Sequence, residues 1–317
     1  MILRFGTRGS KLALWQTRFV MEKIRAAFPD IQLSEVIVKT LGDNVTNVPL
    51  FRVGGQGIFI KEIEDSLSRN QIDIAVHSLK DMPHELGKGL ALAAVSARED
   101  PRDVLISLGG KKFSELPKNC TIGTSSLRRR TQLSALRPDL SYSDLRGNLD
   151  TRLRKLADGE VEAIVLAAAG LNRLGWQDRI SDFFPVESFI PAACQGFLGI
   201  ECRKEDLGKL SDVFTAIEDP NGRIAATAER SFLEKLRGGC QIAMAVHAQI
   251  EKNQIRVHAF LGSPQGDRNI GTTRSGTLNE AEAIGCKAAE DLMAQGGLKL
   301  LEEWNAKFCV NPHSFQS

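Results

Sequence analysis

With 317 residues, the chain is too long for one ordinary core and long enough for two or three compact units. Hydrophobic residues at 42% and charged residues at 25% are those of a globular protein, and a formal net charge of +2 selects no partner by bulk electrostatics. No apolar run approaches the roughly 20 residues of a membrane span, and Met1-Ile2-Leu3-Arg4-Phe5-Gly6 lacks a basic head followed by an apolar stretch, which reads as a cytoplasmic protein with no membrane partner. In chain order, periodicity predicts a helix over 11–28, a strand over 34–40, a helix over 59–69 and a strand over 72–77. Strands over 90–95 and 104–107 follow, then helices over 126–136 and 149–157 and an apolar strand over 163–167. This alternation is that of an α/β fold, and two mixed-sheet units fit it better than one. Residues 197–202 read as a short strand able to return to the first unit, after which no periodic segment is predicted until a helix near Arg223. That helix ends in Arg237-Gly238-Gly239, and strands over 245–250 and 254–261 with a long helix over 279–295 complete a separate small α+β unit. Between Leu41 and Gly57 the glycines Gly42, Gly54, Gly55 and Gly57 follow no period and mark a mobile loop.

Three turns look ready for anions. In Gly123-Thr124-Ser125-Ser126-Leu127-Arg128-Arg129-Arg130 a short strand ends, hydroxyls fill the N-cap region, and a helix opens with three arginines, so N–H groups and guanidinium forks converge on one spot. An ordinary Ser-capped helix with a solvated basic face explains the run equally well. Thr7-Arg8-Gly9-Ser10-Lys11 and Leu145-Arg146-Gly147-Asn148-Leu149-Asp150-Thr151-Arg152 repeat the pattern. Together they suit a ligand with many carboxylates or phosphates. Aromatics total 6% and none interleave with these arginines, so a nucleic-acid partner lacks its stacking platform.

In Ala75-Val76-His77-Ser78-Leu79-Lys80-Asp81-Met82-Pro83 a buried strand runs out into a polar turn, the place where α/β sheets bind ligands. Asp81 there is either a turn former or an ionised group able to steady a developing cation or shuttle a proton. His77 reads as a satisfied strand-end histidine. The six cysteines, Cys120, Cys194, Cys202, Cys240, Cys286 and Cys309, form no CxxC pair, which argues against a disulfide framework and against a metal site. Cys240 differs in following two glycines at a helix end beside Arg237, a setting that exposes a thiol and lowers its pKa, although a buried C-cap neighbour is the commoner meaning.

Taken together and in order, Arg4 to Gln16, His77 to Pro83, Arg98-Glu-Asp-Pro-Arg-Asp103, Gly123 to Arg129, Leu145-Arg-Gly-Asn148, Ala169-Gly-Leu171, Gln195-Gly196 and Gly238-Gly-Cys-Gln241 resemble the porphobilinogen deaminase (hydroxymethylbilane synthase) family. The resemblance implies a transferase that joins four porphobilinogens head to tail, with loss of ammonia, into linear hydroxymethylbilane for tetrapyrrole and haem biosynthesis. It implies two domains like those of type II periplasmic binding proteins (1–97 with 197–216, and 98–196) and a third, α+β domain over 217–317 that carries the cofactor. Cys240 is similar to the cysteine that holds a dipyrromethane cofactor by a thioether, and Asp81 to the catalytic aspartate, which would steady the cationic azafulvene left by ammonia. Lys80, Ser78, Thr124, Ser125, Ser126, Arg128, Arg129 and Arg146 match cofactor-binding positions. Arg8, Ser10, Arg152, Gln195, Arg98 and Phe59 match substrate-binding ones, and Arg52 and Gly57 the lid of the cleft. The implied protein is a monomer with porphobilinogen as its partner and no nucleic acid. Three departures stand out: Gln56 in place of a common lysine in the lid, Ile242-Ala243-Met244 after the cysteine, which would loosen the cofactor loop, and Cys194 before Gln195, a second oxidation-sensitive thiol in the cleft. Beyond about residue 245 the match fades. A binding protein without chemistry, a nucleic-acid or phosphate binder and a homologue of weak turnover are the rival readings.

Overall fold

Three sheets organise the chain, and each is fixed by where its strands find partners. The computed structural model describes residues 2–40, 60–236, 242–264 and 266–308. In chain order come β1 (Ile2–Thr7), α1 (Lys11–Ala27), β2 (Gln32–Ile37), α2 (Lys61–Ser68), β3 (Ile74–Ser78) and β4 (Leu90–Val95). Next are β5 (Asp103–Ser107), β6 (Thr121–Gly123), α3 (Leu127–Leu136), β7 (Ser141–Ser143), α4 (Leu149–Ala157), β8 (Ala163–Ala167), α5 (Ala168–Arg173) and β9 (Asp182–Phe183). Then β10 (Leu198–Arg203), α6 (Ser211–Thr215) and α7 (Pro220–Leu236) lead to β11 (Met244–Glu251), β12 (Gln254–Gly262), β13 (Asn269–Thr277), α8 (Ala281–Leu292) and α9 (Leu298–Phe308).

The first sheet has the order β2-β1-β3-β10-β4, with β1, β2 and β3 parallel and β10 antiparallel to both neighbours. The second repeats the plan as β7-β6-β8-β5-β9, with β6, β7 and β8 parallel and β5 reversed. The third, β11-β12-β13, is wholly antiparallel. The α/β reading with two mixed sheets and a small α+β unit is what the chain builds. Both central strands, β3 and β8, are almost continuously buried, as parallel strands covered on both faces must be. Helix α1 shows how a cover forms: Ser10 accepts a hydrogen bond from the Ala13 N–H at its start, and Val20, Met21 and Ile24 share one buried stripe. That stripe joins a core of Leu3, Phe5, Ile74, Val76 and Ile200.

Several boundaries differ from the sequence reading, each for a tertiary reason. The strand expected over 34–40 is β2, drawn two residues earlier by a register that pairs Ile2 with Gln32 and Thr7 with Ile37. The stretch before Arg223 is not aperiodic: it contains α6, and α7 starts at Pro220 with the Asp219 carboxylate capping the Gly222 N–H. The helix expected over 279–295 ends at Leu292, because Gly296 at φ 97° breaks the winding before α9 resumes. β13 was not foreseen, since Asn-Ile-Gly-Thr-Thr-Arg-Ser-Gly-Thr forms a largely exposed edge with one apolar anchor. Residues 41–57, read as a mobile loop, lie outside the described residues. The small unit is not separate in its packing: its core of Phe232, Val246, Val257 and Ala288 runs on into Leu79, Met82 and Phe197 of the first sheet. No helix among the described residues is long and apolar enough to cross a membrane.

Candidate active site

The central strand of the first sheet delivers two polar side chains to one point. β3 ends at Ser78 and turns through a single 3-10 turn, Leu79–Asp81, closed by the Met82 N–H on the Leu79 carbonyl at 3.2 Å. Leu79 and Met82 are buried at 1% and 3% exposure, so the turn is nailed into the core at both ends and holds Lys80 and Asp81 between the nails. Asp81 is exposed and Lys80 partly buried. Ser78 accepts a hydrogen bond from Gln16 of α1 at 2.8 Å. His77 faces away, paired at 3.0 Å with the fully buried Glu201, as its strand-end reading required.

Across from this turn stands the start of α3. Ser126 caps it by accepting the Arg129 N–H, Thr124 accepts the Ser126 N–H at 3.2 Å, and Ser125 donates to the Leu145 carbonyl at 3.1 Å. Only two of the three arginines converge. Arg128 and Arg129 are buried, while Arg130 turns out to the Thr124 carbonyl and to Asp144 at 2.7 Å, because the helix carries it a further 100° round. The inward pair meets Asp103 at the start of β5. Arg128 Nη1 donates to Oδ2 at 2.6 Å, and Arg129 Nε and Nη2 to Oδ1 at 3.0 and 2.7 Å. Gln195 links both halves, donating from Nε2 to Asp103 at 3.1 Å and accepting at Oε1 from Lys80 Nζ at 3.2 Å.

Electrostatics confirms that these groups share one space. Burial alone would raise the Asp103 carboxyl, but Arg128 and Arg129 overrule it and hold it well below the usual carboxylate range. Burial pulls the Lys80 ammonium down to about 8, with Asp81 and Asp103 opposing the fall and Arg129 and Arg128 adding to it. Burial likewise lowers Arg152 to about 10, and it feels Arg129, Asp81 and Arg146. Arg146 is lowered by burial too. Arg8 follows β1 and is partly buried, and Ser10 is spent on its cap. At the mouth, Lys11 Nζ reaches Asp150 of α4 at 2.8 Å, bridging the two sheet units. The result is a crevice rich in cations, apt for a ligand bearing carboxylates.

Arg98 sits elsewhere than expected. Its guanidinium donates to Glu229 of α7 at 2.6 and 3.3 Å, to the Ala248 carbonyl at 3.1 Å and, through Nε, to the Gln195 carbonyl at 2.9 Å. It thus ties the small unit to the crossing between the sheets and reaches the crevice only through Gln195. Glu229 is fully buried and also accepts the N–H groups of Cys194 and Ala248. A cavity of about 460 Å³, lined by Arg98, Phe197, Ala225, His247 and Ile250 among others, lies at this junction and includes none of the crevice residues. The reading of Cys194 as an oxidation-sensitive thiol is corrected: it is 2% exposed, and burial pushes its pKa far up, so it carries no thiolate to oxidise.

Four residues of this architecture had no assigned role in the sequence reading: Asp103, Glu229, Gln16 and Arg173. Arg173, lowered to about 10 by burial, donates to the Gly196 carbonyl at 2.6 Å. A charged residue opening an apolar strand, as Asp103 does before Val104-Leu105-Ile106, was the available signal, because a buried carboxylate demands partners.

Cys240, Phe59, Arg52, Gln56 and Gly57 lie outside the described residues. Arg230 of α7 donates to the carbonyls of Pro83 and His84 at 3.1 and 2.7 Å, directly after the Lys80-Asp81 turn. Leu236, the last residue of α7, belongs to the same apolar cluster as Leu79 and Met82. Ala243 is fully buried, its carbonyl accepts the Gly262 N–H at 2.9 Å, and Met244 starts β11, while the cofactor loop before them lies outside the described residues. Among the described residues no group of His, Cys, Asp or Glu side chains is arranged to hold a metal ion.

Comparison with known proteins gives the following. A family model described as porphobilinogen deaminase, dipyromethane cofactor binding domain, matches residues 3–210, and one described as the C-terminal domain matches 223–294. A porphobilinogen deaminase of Geobacter metallireducens is 46% identical over 301 residues, covering 95% of this chain and 94% of that protein. One of Brevibacillus brevis is 48% identical over 303 residues, covering 95% and 96%. Among solved structures, the methionine binding protein MetQ is 11% identical with a TM-score of 0.43, covering 70% of this chain and 92% of that one.

Proposed function

The chain belongs to the porphobilinogen deaminase family, and from that premise we propose how its crevice carries out the reaction. It is a transferase, the hydroxymethylbilane synthase of tetrapyrrole biosynthesis, with porphobilinogen as substrate and a domain for a dipyrromethane cofactor. The cation-rich crevice fits that group, since linked pyrroles bearing acetate and propionate chains need several guanidinium partners in a partly desolvated space. Lys80, Arg128, Arg129 and Arg146, with Ser78, Thr124, Ser125 and Ser126 around them, would hold it, and Cys240 would bind it covalently through a thioether. When bound, the dipyrromethane supplies the pyrrole carbon to which substrate is joined.

Arg8, Ser10, Arg152 and Gln195 orient the incoming porphobilinogen by its carboxylates, with Phe59 beside them and Arg98 acting from behind Gln195. Asp81 stands on a turn anchored by Leu79 and Met82, and its carboxylate steadies the positive charge that grows on the substrate as ammonia leaves. Three domains divide this work: 1–97 with 197–216 carries Asp81, 98–196 carries the arginines, and 217–317 carries the cysteine. Membership of the three sheets supports that division. The protein works as a cytoplasmic monomer without nucleic acid, a reading favoured by the inward turn of Arg128 and Arg129 and by free thiols at Cys120, Cys194, Cys202 and Cys286.

The observation that supports the reading is the docking of α7, the helix that precedes Cys240 in the sequence, onto the Pro83 and His84 carbonyls directly after the Lys80-Asp81 turn. Intact mass of the purified protein tests it. A mass excess of two linked pyrroles, lost in Cys240→Ser, is expected; an active protein of unmodified mass refutes it.

A further inference from the structure

We infer that Asp103 is a positioning residue of this reaction, a permanent counter-ion that holds Arg128 and Arg129 as a pair toward the bound pyrroles and, by anchoring Gln195, fixes both Lys80 and the amide that orients the incoming substrate. The inference rests on the proposed reading of the crevice. Asp103 is fully buried, so no ligand displaces it from outside. Its two oxygens are divided: Oδ2 takes Arg128 Nη1, while Oδ1 takes Arg129 Nε and Nη2 together with Gln195 Nε2. The backbone completes the clamp, with Arg128 Nη1 on the Ile190 carbonyl at 2.9 Å and Arg129 Nη1 on the Val165 carbonyl at 2.8 Å. Arg128 Nε and Nη2 have no hydrogen-bond partner among the described residues, which leaves one edge of a fixed guanidinium for a ligand.

The physical need is plain. Two guanidiniums and an ammonium crowded into a poorly solvated space repel one another, and without an internal anion the empty site would swing its arginines out or shed a proton from Lys80. With Asp103 in place the arrangement exists before substrate arrives, so binding does not have to assemble it. The compensation is incomplete: among the described residues, the charges that bear on Lys80 and Arg152 are the cations Arg128, Arg129 and Arg146 against the carboxylates Asp81 and Asp103. The remaining positive charge is available to the carboxylates of a ligand.

Asp103→Asn tests this with porphobilinogen as the probe. The groups facing Lys80 are Asp81 on its own turn, Arg128 and Arg129 on α3, Asp103 on β5 and the Gln195 amide. Removing the Asp103 charge leaves the two arginines pushing on the ammonium, so Lys80 loses its proton at lower pH. The alkaline limb of kcat/KM should move down by about half a pH unit or more. KM should rise about tenfold with a much smaller change in kcat, because Gln195, which orients the incoming porphobilinogen, is anchored on Asp103 and contacts carboxylates that do not react. Asp103→Glu keeps the charge but displaces it by one methylene, so its alkaline limb should stay near that of the unmodified enzyme while KM rises. A folded Asp103→Asn enzyme with unaltered KM and unaltered alkaline limb overturns the inference. Should that variant fail to fold, an Asp103→Glu enzyme with ordinary KM overturns it equally. Lack of turnover in the unmodified protein would instead bring down the reading of the crevice, and this inference with it.

Discussion

Replacing Glu229 by glutamine removes one negative charge from the junction of all three sheets. The carboxylate accepts two bonds from Arg98 and one each from the Cys194 and Ala248 N–H groups, with no solvent to replace any of them. Breaking one partner of a buried ion pair costs about 3–5 kcal/mol, chiefly because the other charge is left unmatched. Glutamine keeps one acceptor oxygen, so one backbone N–H remains served while the amide NH₂ confronts both the other N–H and one guanidinium nitrogen. A loss of about 4 kcal/mol corresponds to roughly a thousandfold shift in a local opening equilibrium. Native-state hydrogen exchange at Cys194 and Ala248 reads that equilibrium where it occurs and avoids treating a three-unit protein as two-state. Exchange should accelerate by two to three orders of magnitude at these amides, while β6 and β8 in the second sheet stay protected. Changes below tenfold at Cys194 would show that Arg98 and Glu229 do not hold the junction.

Asp81→Asn should keep fold and covalent adduct, since the side chain is exposed, yet lower kcat by about a hundredfold or more, because an amide does not stabilise the growing cation. Near-normal turnover with porphobilinogen would remove Asp81 from the mechanism. Gly196→Ala should destabilise by about 3 kcal/mol or more: its φ of 99° is strained for any L side chain, and a Cβ would sit 2.3 Å from the Glu99 carbonyl oxygen. Gly110→Ala, at φ 69° with nothing within 4 Å, should cost only about 1 kcal/mol, and equal urea midpoints for the two variants would refute the packing argument.

Much of the scaffold was legible because its signals are local. α4 and β8 fall within the predicted 149–157 and 163–167, where one apolar stripe and one uninterrupted apolar run leave no rival reading. β13 was invisible for the opposite reason: its threonines and glycines have no apolar alternation, and it is a strand only because β12 offers an edge. At the site, Lys80, Arg128, Arg129, Arg152 and Gln195 lie near one another, since short motifs place residues at strand ends and helix starts. What sequence did not disclose was which charge answers which. Arg130 looks like a third member of the arginine run until the helix turns it outward, and Arg98 looks like a ligand contact until α7 supplies Glu229 from 131 residues away. Such pairings depend on tertiary placement, which no short motif records.

The two sheet units are joined by two crossing segments, and the crossing is stapled from both sides. Glu99 N–H bonds the Gly196 carbonyl at 3.1 Å, Arg173 bonds that same carbonyl, and Gln195 Nε2 holds the Pro101 carbonyl at 2.8 Å. The far flank is spanned by Lys11 and Asp150, exposed to water and salt, an arrangement worth little to stability. Raised ionic strength therefore screens the Lys11–Asp150 pair, while the staples at the crossing, buried or partly buried, keep their bonds.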